Sequence, residues 1–103
     1  MKTFKTPGEL TVLVGKDARE NDKLLAEAKC NDLWFHSNDG AGPHVILQCN
    51  HLKDIPEADI RFAAQLAIKG KGDVMYCYVG DVIKPKRVPA GTVFVLNEKI
   101  IKI

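Results

Sequence analysis

The residues best equipped for chemistry fall in one stretch, NDLWFHSNDGAGPHVIL at positions 31–47, which holds the only Trp and two of the three His of this 103-residue chain. Read as a strand, residues 32–36 alternate, with Leu33 and Phe35 facing one way and Asp32, Trp34 and His36 the other. His44 opens a second strand, 44–49, beyond a loop containing Gly40 and Gly42, so the polar and aromatic groups are expected to gather near one edge of a sheet. Several chemistries compete for such a set. A metal site built from Asp32, His36 and His44 needs a ligand spacing that these residues lack. A hydrolytic His/Asp pair needs a nucleophile, and neither Ser37 nor Cys30 sits in a recognisable setting for one. A nucleic-acid surface would use Trp34 or His36 as a stacking plane while loop amides meet phosphate. The plainest alternative makes Trp34 a core residue and the two histidines hydrogen-bonding groups that fix a turn, and residue chemistry alone does not displace it.

A second candidate for anion binding is VGKDARENDKLL. Gly15 and Lys16 at a strand-to-helix junction offer a minimal phosphate cradle, helix amides plus a lysine, without the spacing of a P-loop. Asn21 and Asp22 fall mid-helix, where their propensity is poor, so a tertiary hydrogen bond or a contact surface is expected to account for them. The net charge of +2 is too small to mark a nucleic-acid binder. Its distribution says more: Lys69, Lys71, Lys84, Lys86 and Arg87 face only Asp73 and Asp81 over residues 69–87, while acidic residues cluster at 54–59. A charge run of this kind also suits a plain solvated face. His51, beside Lys53, reads as loop.

These residues need elements to hold them. The length suits one domain with a single core, and 46% apolar with 27% charged residues excludes a disordered or membrane class. No run reaches the length of a membrane span and no signal peptide is evident, so a cytoplasmic location is expected. Cys30, Cys49 and Cys77 lack CxxC spacing, which argues against disulfides or a zinc knuckle. Strands are expected at 3–5 and at 10–15, where Leu10, Val12 and Val14 share a face. A helix should begin at Asp17, with Glu20 completing a capping box and Leu24, Leu25 and Ala28 buried. A second helix starts near Pro56, carries Ile60, Ala63, Ala64 and Ala67 at helical spacing, and closes at Lys69 and Gly70. VMYCYV, VIK, TVFVL and KIIKI follow as strands, the last two joined as a hairpin through Asn97 and Glu98. Two main helices with a mostly antiparallel sheet of six or seven short strands make an α+β domain.

Taken in order, VGKDARENDKLL and NDLWFHSNDGAGPHVIL resemble the RNA-binding domain of the NFACT proteins, in which a G-(K/R)-(N/D)-x-x-x-N-(D/E)-x-L element precedes D-x-W-F-H and then P-G-S-H-V. The resemblance extends through IPEADIRFAAQLAIKGKG to the basic strand and closing hairpin in YVGDVIKPKRVPAGTVFVLNEKIIKI. Gly15, Lys16, Asn21 and Asp22 match the first element, Asp32, Trp34, Phe35 and His36 the second, and Gly42, His44 and Val45 the third. Ala41 stands where the family has Pro, and Pro43 where it has a small residue; KGKGDV is shorter and richer in glycine than the family's link.

The resemblance implies a free-standing, non-enzymatic RNA-binding module of translation or ribosome-associated quality control. Its RNA would be tRNA or rRNA, with the large ribosomal subunit as a further partner; a related eukaryotic branch adds DNA. No cofactor, metal or membrane partner is expected. The implied contacts are Lys16, Arg19, Asn21, Asp22, Trp34, His36, His44, Lys69, Lys71, Lys84, Lys86 and Arg87, supported by Gly15, Asp32, Phe35 and Gly42. Two rival functions stay open at this point: a nucleic-acid-processing enzyme using Asp32, His36 and His44, and a basic adaptor that meets proteins on the ribosome.

Overall fold

Apolar alternation and turn chemistry lay out the chain in a computed structural model that describes residues 1–50 and 52–103. His51, read above as loop, lies outside the described residues. β1 (Lys2–Lys5) and β2 (Thr11–Val14) pair across the Pro7-Gly8 turn, where Thr6 Oγ1 accepts the Leu10 N–H at 3.0 Å. Asp17 caps α1 (Ala18–Glu27) by accepting the Glu20 N–H at 2.9 Å. The Glu20 carboxylate reaches back to the Lys16 N–H at 3.0 Å, a capping box extended by one residue. β3 (Leu33–Ser37), β4 (Val45–Leu47), α2 (Glu57–Leu66) and β5 (Asp73–Tyr78) follow, with Pro56 at the start of α2. A 3-10 turn at Val79–Asp81 leads to β6 (Val82–Ile83), β7 (Phe94–Val95) and β8 (Lys99–Lys102).

Six strands form one antiparallel sheet in the order β1-β2-β4-β3-β5-β8, and β6 with β7 makes a separate two-stranded ribbon, so the α+β architecture is the expected one. The expected β7–β8 hairpin does not form. Asn97, at φ 55°, turns the chain away, and β8 instead pairs with β5, Val74 opposite Ile101. That pairing buries Ile101 beside Val74 in the main core, which a tight hairpin on β7 could not do.

Both faces of the sheet are covered, and this decides the site. On one face Val12, Leu33, Phe35, Val45, Leu47 and Val74 pack with Ala63, Ala64 and Ala67, small side chains that let α2 approach closely. On the other, Leu24 of α1 meets Trp34, Ile46, Cys77 and Val79, with Val82 and Val95 of the ribbon at the margin. The strand face expected to carry an open polar site is therefore a second hydrophobic core. No described helix is long and apolar enough to cross a membrane.

Candidate nucleic-acid interface

The strand register brings the sequence motifs together at one end of the sheet. Val14 lies opposite both Lys2 and Val45, and Phe35 lies opposite Val45. The residues following β2 and β3 and those preceding β4 therefore meet at the same end, at the tips of the two central strands and β2 instead of at a sheet edge. There they line a cleft of about 1100 Å³, with the start of α1, the end of α2 and residues 90–92 as its remaining walls.

Gly15, Asn21 and His44 form the joint of this cleft. The Gly15 N–H donates to the His44 carbonyl at 3.1 Å, and the His44 N–H donates to Asn21 Oδ1 at 3.2 Å. A Cβ on Gly15 would run into Asn21 Oδ1, so only glycine permits the approach. The mid-helix Asn is thus explained by a buried tertiary bond that fixes the entry to β4. Asp22 has a parallel role: its Oδ1 accepts the Gly91 N–H at 2.9 Å and faces Lys84 Nζ at 3.4 Å, strapping residues 84–92 onto α1. Gly91 has φ 82° and its α-carbon side faces Ala18 closely, which completes the strap.

His36 and His44 line the cleft, with Trp34 packed behind them. Ring centroids lie 5.3 Å apart for Trp34 and His44, 4.6 Å for the two histidines and 5.7 Å for Trp34 and His36, the first two pairs edge to face. Trp34 is only 1% exposed, so it does not offer the open stacking plane expected from the sequence, and His44, at 2%, is equally enclosed. Of the three, His36 is the half-buried one. Its Nδ1 lies 3.3 Å from the Pro43 carbonyl, to which the Nδ1–H tautomer donates. His44 Nδ1 and Trp34 Nε1 are buried without a hydrogen-bond partner among the described residues. Burial holds the His44 imidazolium back, lowering its pKa from 6.5 to about 4, with His36 and Lys84 adding repulsion and Asp22 opposing it. His44 is therefore neutral at pH 7.

The cleft rim is cationic. Lys2, Lys16 and Lys69 line it, and none of them takes part in an ion pair among the described residues. Its carboxylates are already engaged: Asp17 caps α1, while Asp39 accepts the Ser37 hydroxyl at 2.8 Å and the Ala41 N–H at 2.9 Å. Those two bonds hold the Asp39 carboxyl below its usual range. Of the backbone amides expected to form a cradle at this junction, those of Lys16 and Glu20 are taken by the Glu20 and Asp17 carboxylates.

The other expected contacts divide. Lys84 is committed to Asp22 and to the Pro89 carbonyl at 2.8 Å. Lys71, Lys86 and Arg87 are exposed but do not line the cleft, and neither does exposed Arg19. Asp32 does not join the histidines. Its two oxygens accept the Lys29 and Cys49 N–H groups at 3.1 and 3.0 Å, at the opposite end of β3 and roughly 13 Å along the strand from His36. The Asp32, His36 and His44 constellation required for a metal or acid–base site is not assembled, and no three His, Cys, Asp or Glu among the described residues could hold a metal ion. Phe35 is fully buried and stacks on Tyr76, and Gly42, at φ 102°, passes close to the Ala67 carbonyl. Lys2 escaped sequence reasoning, because only the β1–β2 register shows that it shares an end with Lys16.

A lysine-rimmed cleft walled by glycines, with its acids already satisfied, suits a domain that binds an anionic ligand. The chain matches the family model described as the NFACT protein RNA binding domain over residues 1–95 and belongs to that family. It is 37% identical over 49 residues to the Rqc2 homolog RqcH of Bacillus subtilis (strain 168), a match covering 47% of this chain and 9% of that protein. With the Rqc2 homolog RqcH of Streptococcus suis (strain 05ZYH33) it is 44% identical over 46 residues, 44% of this chain and 8% of that one. The matches thus take in under a tenth of these relatives. Among solved structures, the C-terminal part of the fibronectin/fibrinogen-binding protein from Streptococcus suis superposes with TM-score 0.85 at 23% identity, over 99% of this chain and 44% of that one; the likeness is one of fold.

Proposed function

We propose that this domain binds RNA in the cleft at the end of its sheet, and that it serves ribosome-associated quality control by holding tRNA or rRNA, without catalysing a reaction of its own. The observation that carries this reading is the set of three lysines, Lys2, Lys16 and Lys69, unpaired among the described residues, around a glycine-walled cleft in a chain of an RNA-binding family. Cations without acidic partners gain most from a phosphate backbone, since no internal ion pair has to be broken and counterions are released from the RNA. The likeness to RqcH supports the quality-control setting, and with it the reading of a cytoplasmic domain that has the large ribosomal subunit as partner.

Crosslinking in cells followed by sequencing of the bound RNA tests the proposal. Enrichment of tRNA or of large-subunit rRNA is expected, together with loss of the crosslinks in the Lys2→Gln, Lys16→Gln, Lys69→Gln triple variant. Absence of RNA crosslinks from the folded wild-type domain would overturn it.

A further inference from the structure

We infer that the cleft accepts an unpaired nucleotide, its base against His36 and its flanking phosphates on Lys16 and Lys69, in preference to a duplex. The inference rests on the RNA-binding reading and specifies the form of RNA. Three features lead to it. The first is shape: His36, Ser37 and His44 lie among walls made by the start of α1, residues 39–43, the end of α2 and residues 90–92. Stacked bases inside an A-form helix cannot enter such a recess, and a duplex could touch only the rim. A splayed base can enter.

The second is the state of the floor. His36 is held by its neighbours, with one ring nitrogen committed to the Pro43 carbonyl and its ring in a T-shaped contact with that of His44, itself packed on Trp34. A ring whose Nδ1–H is donated keeps a lone pair on Nε2. That leaves an aromatic face for stacking and one acceptor for an exocyclic amine or a 2′-hydroxyl, the groups that an unpaired ribonucleotide presents. The buried Trp34 and His44 supply rigidity instead of contact, so the platform is set before the ligand arrives.

The third is the bareness of the rim. Gly40, Gly42 and Gly91 contribute no side chains, and Gly40 and Gly91 sit in the left-handed region at φ 82°. The path into the floor is thereby left open between the lysines. A Cβ at Gly42 or Gly91 would press on the Ala67 carbonyl or on Ala18, both part of the cleft wall.

The test compares three fluorescent RNAs by anisotropy with the intact domain: a short single strand, a blunt duplex, and the same duplex with an unpaired tail. The single strand and the tailed duplex should bind about tenfold more tightly than the blunt duplex, the scale of one base stacked on an aromatic ring. His36→Ala should remove that preference, the affinity for the single strand and the tailed duplex falling to that for the blunt duplex, with a cooperative melting transition verifying that the variant is folded. Equal binding of blunt and tailed duplexes by the wild-type domain overturns the inference whatever the variant does, and so does a preference that survives His36→Ala in a folded protein. Failure to bind any of the three RNAs removes the RNA-binding reading itself, and is distinguished from a duplex-tolerant binder by that result.

Discussion

At the scale of single residues, Trp34 and His44 work by being buried. Trp34→Ala removes a fully enclosed indole between α1 and the sheet, and a loss of about 3–5 kcal/mol in stability is expected from chemical denaturation. His44 makes stability depend on pH. Its folded pKa of about 4 lies below the unfolded 6.5, so between these values the unfolded chain takes up a proton that the folded chain refuses. Its contribution is present in full above pH 6.5 and is lost as pH falls through 4, a change on the order of 3 kcal/mol. Denaturation midpoints measured across that window should fall with pH, and His44→Phe, which keeps an aromatic edge for Trp34, should flatten the profile. The cysteines offer an independent check on burial. Cys49 and Cys77 have thiols pushed up to about 11 by burial, whereas Cys30 is exposed. A thiol reagent at neutral pH should label Cys30 in the native domain and all three only on unfolding.

At the scale of elements, α1 acts as a clamp that uses two adjacent side chains on two different segments. Asn21 holds the entry to β4, and Asp22 holds residues 84–92. Asn21→Ala leaves the buried His44 N–H unpaired, and a destabilisation of about 1–3 kcal/mol should appear in the unfolding free energy. Asp22→Ala should act locally instead. Hydrogen exchange at the Gly91 amide and proteolysis after Lys86 or Arg87 should both accelerate, with a smaller change in global stability; unchanged exchange at Gly91 would remove the strap from this account.

At the scale of the whole molecule, the fold sorts charge that composition leaves nearly balanced. The cleft end carries Lys2, Lys16 and Lys69 with Asp17 and Asp39, and the sheet register brings Lys102 to it opposite Asp73. α2 starts about 15 Å away with Glu57 and Asp59, and Asp54 and Asp81 line a groove beside Tyr78, paired with the far end of β3. A domain of net charge +2 thus presents a basic end, and binding should be steeply salt-dependent for so small a charge. Replacing Lys2, Lys16 and Lys69 by Gln should reduce the slope of log affinity against log salt by about 2 for single-stranded RNA, at roughly 0.7 per phosphate contact. Replacing Lys86 and Arg87 should change it less. A slope governed by Lys86 and Arg87 would move the binding surface to the strap.

Local pattern was enough for the parts whose physics is local. The Asp17 cap, the Pro56 start of α2, the β-branched run of β2 and the strand alternation around Phe35 were legible because each depends on residues within a turn or a pleat of one another. The two motifs, read in order, also carried the family. Strand pairing was not legible at β8, because its partner β5 is separated from it by the ribbon and was selected by the burial of Ile101. The same limit governed the site. Sequence alone named Asn21, Asp22, Trp34, His36, His44 and Lys84 among its candidates, and only the tertiary structure separated the half-buried His36 from groups that are buried or committed to contacts within the fold. Burial, pairing and shared ends of strands arise from contacts between residues far apart in the chain; these decided that Lys2 belongs to the cleft, that Asp32 does not, and that the face bearing Trp34 is a core.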